Sequence, residues 1–264
     1  RPAREHVARQ VQHQRDDAVG LGIEPMRPTL ERHLRDRAIA LLAKFTEPRD
    51  HVGEVRRAVH AGPGARFANA AESRNGRWLC SANERPSLTQ AQHPYAIVLA
   101  CADSRVPPEL LFDESLGRLF VVRTAGHVVD PVALGSIEYA VEHLHVNLLV
   151  VLGHEGCGAV KATIGGGEVP PNIAALVRRI KPAVEKVLAQ GVPEKELLHA
   201  AVRENVHYQM QEAMFESEVL SESVFSKHLA VVGGVYDLQS GHVELVVTDV
   251  AVSRMGSNLA KEHK

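Results

Sequence analysis

At 264 residues, with 45% hydrophobic and 23% charged residues, the chain has ordinary globular composition and enough length for one or two domains with a sizeable core. A formal net charge of -2 gives no electrostatic argument for nucleic acid, and no run approaches the roughly eighteen apolar residues that a membrane-spanning helix needs. Three cysteines, Cys80, Cys101 and Cys157, do not make the framework of a disulfide-stapled secreted domain.

The chain divides into residues 1–64, 65–253 and 254–264. Residues 1–28 are rich in Arg, Gln and His with Gly20, Gly22, Pro25 and Pro28, and read as a poorly ordered arm or short helix. Thr29 is a plausible N-cap for an amphipathic stripe through Leu30, His33, Leu34, Ala38, Ile39, Leu41 and Leu42, which Pro48 ends. A second short helix over 52–60 stops at Gly62-Pro63-Gly64. The chain opens at Arg1 with no Met and no apolar core of the signal-peptide kind, which reads as a processed or truncated piece.

Two apolar runs, Ala96 to Ala100 and Leu148 to Leu152, have the pattern of fully buried parallel strands. The stretch between them has room for a crossover helix and another strand. Ala159 to Ile164 predicts a helix, and Gly165-Gly166-Gly167 with Pro170-Pro171 a linker loop. That loop lacks the Lys-Ser or Lys-Thr of a phosphate-binding loop. Periodicity predicts helices over 172–189 and 194–214, with Leu197, Ala201, Val202, Asn205 and Val206 along one face and His199 and His207 as ordinary surface residues. Leu229 to Tyr236 and His242 to Val247, around Gln239-Ser240-Gly241, read as a hairpin. The expected fold is α/β: a mostly parallel central sheet with flanking helices, an N-terminal helical arm, an antiparallel edge hairpin and a tail over 254–264.

Cys101 follows the first strand, and His154 and Cys157 follow the second, where open α/β sheets build their sites. Two thiols and an imidazole suit zinc, and three protein ligands leave a fourth tetrahedral position for water or a carboxylate. A catalytic zinc is therefore the leading reading. A structural zinc, a Cys101–Cys157 disulfide and inert packing stand beside it. Cys80 has no partner at ligand-like spacing and reads as packing or a spare thiol. Asp103 and Arg105 lie two and four residues after Cys101. The carboxylate can ligate the metal, or pair with the guanidinium fork and accept a hydrogen bond from metal-bound water; a plain strand-end salt bridge is the alternative.

The segments Cys101-Ala-Asp-Ser-Arg-Val-Pro-Pro-Glu109, Leu119-Phe-Val-Val-Arg-Thr-Ala-Gly126, Ser136-Ile-Glu-Tyr-Ala-Val141 and Val151-Leu-Gly-His-Glu-Gly-Cys-Gly-Ala-Val160 closely resemble the β class of carbonic anhydrases. The similarity runs from about Ala65 to Val250, so residues 65–253 read as the catalytic domain. The resemblance implies a zinc enzyme (a lyase, carbonate dehydratase) that interconverts carbon dioxide and bicarbonate, working as a homodimer or a larger assembly of dimers. It implies Cys101, His154 and Cys157 as metal ligands and Asp103 and Arg105 as the catalytic dyad, with Asp103 a fourth ligand in a closed state. Gln92, Gly158, Phe120 and Tyr139 match substrate-pocket positions, the last two at positions that reach the neighbouring subunit's site. Their ordinary alternatives are a loop Gln, helix-start geometry and core aromatics.

Two departures stand out. One subclass carries an inhibitory bicarbonate site that needs Trp and Gly where this chain has Val98 and Ala100, so an open site is expected. His127 stands where Asn is usual, either as a proton carrier or as a polar loop residue. The rival functions are hydrolysis of carbon disulfide or carbonyl sulfide on the same fold, and a non-catalytic zinc-stabilised binding module. Reduced thiols fit a cytoplasmic protein, with an exported or organellar one after loss of a targeting segment as the alternative.

Overall fold

The computed structural model describes residues 85–247. The helices expected within residues 1–64, Cys80 and the tail over 254–264 lie outside the described residues. The described elements are α1 (Arg85–Leu88), β1 (Ala96–Cys101), α2 (Pro108–Leu111), β2 (Leu119–Thr124), a 3-10 turn (Ala125–His127), α3 (Pro131–Glu142), β3 (Leu148–His154), α4 (Gly158–Gly165), α5 (Pro171–Ala189), α6 (Glu194–Glu216), α7 (Glu218–Phe225), β4 (Ala230–Tyr236) and β5 (Val243–Val247). No helix among them is long and apolar enough to cross a membrane.

The five strands form one sheet in the order β2-β1-β3-β4-β5. The first four are parallel and β5 closes the edge antiparallel to β4, so the fold is the mixed α/β arrangement expected, hairpin included. Every residue of β1 and β3 is buried, because unbroken apolar runs need cover on both faces of the sheet. Between them the chain makes β2 and α3, the strand and crossover helix for which the spacing left room. Asp130 starts α3 by accepting the Ala133 N–H at 2.8 Å, and Pro131 follows it with its backbone pre-set for a helix.

Helix α6 presses on the sheet at Gly153, where an added Cβ would lie 2.7 Å from Val206 Cγ2. Farther along the same helix Met210 lies against Gly233 of β4. Ala201, Val202, Val206, Met210 and Ala213 carry the helix's apolar contact and are fully buried. The first turn of α6 has no side-chain cap, and Glu194 and Glu196 there complement the helix dipole.

This topology places the site. From β1 the chain steps outward to β2, whereas from β3 it steps the other way to β4, so the order of strands reverses between β1 and β3. Ligands of open α/β sheets collect in the crevice beyond such a reversal. Cys101 is the last residue of β1, and His154 is the last of β3.

Candidate metal centre

Cys101 and His154 end neighbouring strands, and Cys157 is the residue on which α4 begins. The turn through Glu155 and Gly156, with Gly156 at φ +66°, brings the third ligand back to the first two. The two sulfurs are 4.0 Å apart, and the ligand atoms of Cys101, His154 and Cys157 all lie within 4.8 Å of one another. A disulfide would need about 2.0 Å between sulfurs, so both cysteines are free. Tetrahedral zinc with bonds of about 2.3 Å to sulfur would separate them by about 3.8 Å. All three residues are buried, and among the described residues they form the single cluster suited to a metal.

The donor chemistry fits a cation. His154 Nδ1 donates to the Glu155 carbonyl at 2.9 Å, which fixes the tautomer and leaves a lone pair on Nε2. Nε2 is buried and has no hydrogen-bond partner among the described residues. A buried acceptor aimed at two sulfurs is costly unless something electrophilic sits there. The thiols point the same way. Cys101 is pushed down to about 3, chiefly by the hydrogen bond with the Cys157 thiol, with help from the Asp103 and Gly126 N–H groups, against its burial. Cys157 is pushed well up, because it supplies that hydrogen bond and is itself buried. The two sulfurs lie 4.0 Å apart, within hydrogen-bonding reach, and a divalent cation held between them would displace the thiol protons.

Beside this cluster Asp103 Oδ1 accepts the backbone N–H and the Nε–H of Arg105, both at 2.9 Å, and Oδ2 accepts Nη2–H at 2.7 Å. The guanidinium holds the Asp103 carboxyl well below the usual carboxylate range. Of the two expected uses of the carboxylate, the structure has the one paired with Arg105. Oδ2 still faces the cluster, 3.8 Å from His154 Nε2. Arg123 secures the backbone underneath: its Nε donates to the Cys101 carbonyl at 2.8 Å and its Nη2 to the Asp103 carbonyl at 2.5 Å.

The remaining expected positions separate into two groups. Gly158 is the exposed first residue of α4, and an added Cβ there would meet nothing within 4 Å, so the residue borders open space next to Cys157. Gln92 is exposed ahead of β1. Phe120 and Tyr139 come together with ring centroids 6.3 Å apart, but Phe120 pairs with Ile97, four residues before Cys101. That is roughly 13 Å along the strand, too far for either ring to line this chain's own cluster. Tyr139 is instead 47% exposed on the outer face of α3.

His127 does lie in the turn after β2, but buried instead of facing solvent, which argues against the proton-carrier reading. It is fully buried, burial pushes its imidazole down to about 4, and Asn205 Nδ2 donates to its Nε2 at 3.0 Å. The loop after β2 is covered by helices, which the sequence around His127 does not announce. His199 is exposed as expected, yet its Nδ1 lies 2.6 Å from Glu155 Oε1 and ties α6 to the turn between two ligands. His207 is half-buried, with its ring 3.3 Å from Gln211 Nε2. Sequence reasoning gave no role to Arg123, and none beyond core facing to Asn205; Gln209 it passed over. The available signal was a pair of amides four residues apart on an apolar helix stripe.

A family model described as carbonic anhydrase matches residues 96–243. The chain is 45% identical over 165 residues to a carbonic anhydrase of Mycolicibacterium smegmatis, covering 61% of this chain and 79% of that one. It is 41% identical over 169 residues to carbonic anhydrase 2 of Mycobacterium tuberculosis, covering 62% and 80%. Among solved structures, the β-carbonic anhydrase CafA of Aspergillus fumigatus superposes with a TM-score of 0.60 at 26% identity, covering 68% of this chain and 86% of that one.

Proposed function

The chain belongs to the carbonic anhydrase family, in its β class, and from that membership we propose that it catalyses the reversible hydration of carbon dioxide to bicarbonate and a proton, with Cys101, His154 and Cys157 holding a zinc ion. Zinc in this position supplies Lewis acidity, which makes hydroxide available near neutral pH. The observation that carries the reading is the intact Asp103–Arg105 pair beside three converging soft ligands. A purely structural site would more naturally fill its fourth position with another Cys or His.

The residues divide the work. Arg105 occupies Asp103 Oδ1 twice and Oδ2 once, which keeps the carboxylate ionised and leaves a lone pair of Oδ2 directed at the cluster. That lone pair accepts a hydrogen bond from the attacking water and turns the oxygen toward the substrate carbon. Arg123 holds the Cys101 and Asp103 carbonyls, so nucleophile and dyad keep a common frame. Gly158, at the start of α4, offers its N–H to the bicarbonate oxygens, and Gln92 adds an amide donor.

We also assign a homodimer or an assembly of dimers. In support, among the described residues β2 is an edge strand with half-buried apolar residues, and beside it α3 exposes Val132 and Tyr139. An unpaired apolar edge is an association surface unless it is covered. The test of the activity is stopped-flow hydration of carbon dioxide by wild type and Asp103→Ala, with zinc measured in both. Wild type should be active, and Asp103→Ala should keep its zinc while losing about tenfold or more in rate, the loss of one hydrogen bond to a charged group. A zinc-loaded wild type without hydration activity from neutral to alkaline pH overturns the reading, and turnover of carbonyl sulfide in its place replaces it.

A further inference from the structure

We propose that Asn205 and Gln209, two amides on α6 that take no part in ligation, are positioning residues for Cys101: they hold the turn from Gly126 to Val129 so that the Gly126 N–H donates to the Cys101 sulfur. The inference rests on the metal centre proposed above and goes beyond it to how one ligand is tuned.

Both amides are fully buried on a helix stripe that is otherwise apolar. Asn205 Nδ2 donates to the Gly126 carbonyl at 2.9 Å and to His127 Nε2 at 3.0 Å, and its Oδ1 accepts from Gln209 Nε2 at 3.2 Å. The second N–H of Gln209 goes to the Arg179 carbonyl at 2.9 Å, and its Oε1 accepts the Val129 N–H at 2.8 Å. Every N–H of both amides is used. Turning either amide over would set oxygen against oxygen, so the network has one arrangement.

Three of those bonds end on a single turn: Gly126 O, His127 Nε2 and Val129 N–H. The turn needs holding, because Gly126 and His127 sit at φ +73° and +46°, a conformation that residues with a Cβ rarely adopt. It is also wedged. A Cβ on Gly126 would lie 2.7 Å from Ile180 Cδ1 and 3.2 Å from Ala159 Cβ. In this one placement the Gly126 N–H points at Cys101 Sγ, 3.3 Å away. A backbone donor on a thiolate spreads its charge and fixes the sulfur's direction, which is how outer partners tune metal ligands. Two buried amides that only filled space would not need to converge on the turn that carries this donor.

The test compares full-length wild type, Asn205→Leu and Met210→Ala. Met210 lies on the same helix against Gly233, away from the turn, so its truncation is a control for general damage to α6. Each protein is titrated with cobalt(II), read by the thiolate-to-metal absorption band, and its zinc affinity is measured by chelator competition. Asn205→Leu should shift the band and weaken zinc binding by about tenfold or more, while Met210→Ala stays within about twofold of wild type. Equal changes in the two variants, or an Asn205→Leu protein with the wild-type band and affinity, overturn the inference. Wild type loaded with cadmium-113 gives a readout that needs no variant: scalar coupling between the metal and the Gly126 amide proton supports the bond, and its absence overturns it. A wild type that shows no thiolate–cobalt band would instead defeat the metal-centre reading, and the inference with it.

Discussion

Replacing Arg123 with Lys isolates the part of the site that carries no chemistry of its own. Arg123 reaches from β2 with two donors in a rigid fork, and they satisfy the carbonyls of Cys101 and Asp103, two residues apart on the neighbouring chain segment. A lysine keeps the charge but concentrates its donors on one flexible ammonium, which can serve one of these carbonyls and not both in the same geometry. The lost bond is charge-assisted and partly buried, so its removal should cost about 2 kcal/mol. With a urea dependence of about 2 kcal/mol per molar, the unfolding midpoint should fall by about 1 M. Arg123→Met, which frees both carbonyls, should cost roughly twice as much. Unfolding by urea, followed by circular dichroism at one protein concentration and one zinc concentration, reads the effect without a contribution from mass action. Because the two bonds together fix Cys101 and Asp103 in one frame and lysine can keep only one of them, hydration activity of zinc-loaded Arg123→Lys should fall about tenfold at unchanged zinc content. A stability change below about 0.5 kcal/mol with unaltered kcat/KM would show that the fork does not hold the loop, and the reasoning would fail.

His127 should remain neutral through the physiological range. Unfolded, it takes a proton near 6.5, while the folded residue does so only near about 4; the unfolded state therefore binds more protons as pH falls, and the stability present above 6.5 declines by about 3 kcal/mol as pH drops through 4. The Cε1–H resonance of His127 should accordingly stay fixed from pH 8 to 5.5, and a midpoint near 7 would refute its burial and restore it as a proton carrier. At the sheet edge, Tyr139→Asp places a charge on the exposed face of α3 beside Phe120. Sedimentation should show it shifting toward monomer relative to wild type, and an unchanged oligomer would remove this face from the proposed interface.

The strands were legible because burial on both faces forces a sequence signature: Ala96 to Ala100 and Leu148 to Leu152 are unbroken apolar runs, and each is a strand within two residues of the expected end. The ligands were legible for another reason. Cys and His at strand ends are rare residue types in a position where sites form. Alternation along the strands would not have found them. Ala100 pairs with Leu152, so continuing the register sets Cys101 beside Gly153 and leaves His154 one step on, with the opposite pleat. The two ligands converge only past the sheet's edge, where the pleat no longer dictates direction. Asn205 was placed on the inner face of its helix, but it bonds the Gly126 carbonyl and the His127 ring some eighty residues earlier, and no periodicity reports a hydrogen bond of that kind. His127 was misjudged for the same cause: a loop's burial depends on the helices that later cover it.

Each ligand is oriented by main-chain groups drawn from a different part of the chain. The sulfur of Cys101 takes the Gly126 N–H from the turn after β2, and its carbonyl is held by Arg123. The imidazole of His154 is locked by the Glu155 carbonyl. Cys157 stands at the start of α4, where the Val160 and Ala159 N–H groups stabilise its ionised sulfur, a favourable place for a thiolate. Apart from the Arg123 fork these donors and acceptors are backbone, so most side-chain substitutions near the cluster act by moving a main-chain group rather than by deleting one. The residues that set where the main chain runs are Arg123, Asn205 and Gln209, and of these only Arg123 bonds to a ligand's own backbone. Damage at α6 should therefore appear first in how the cluster binds metal, and in turnover only through that change.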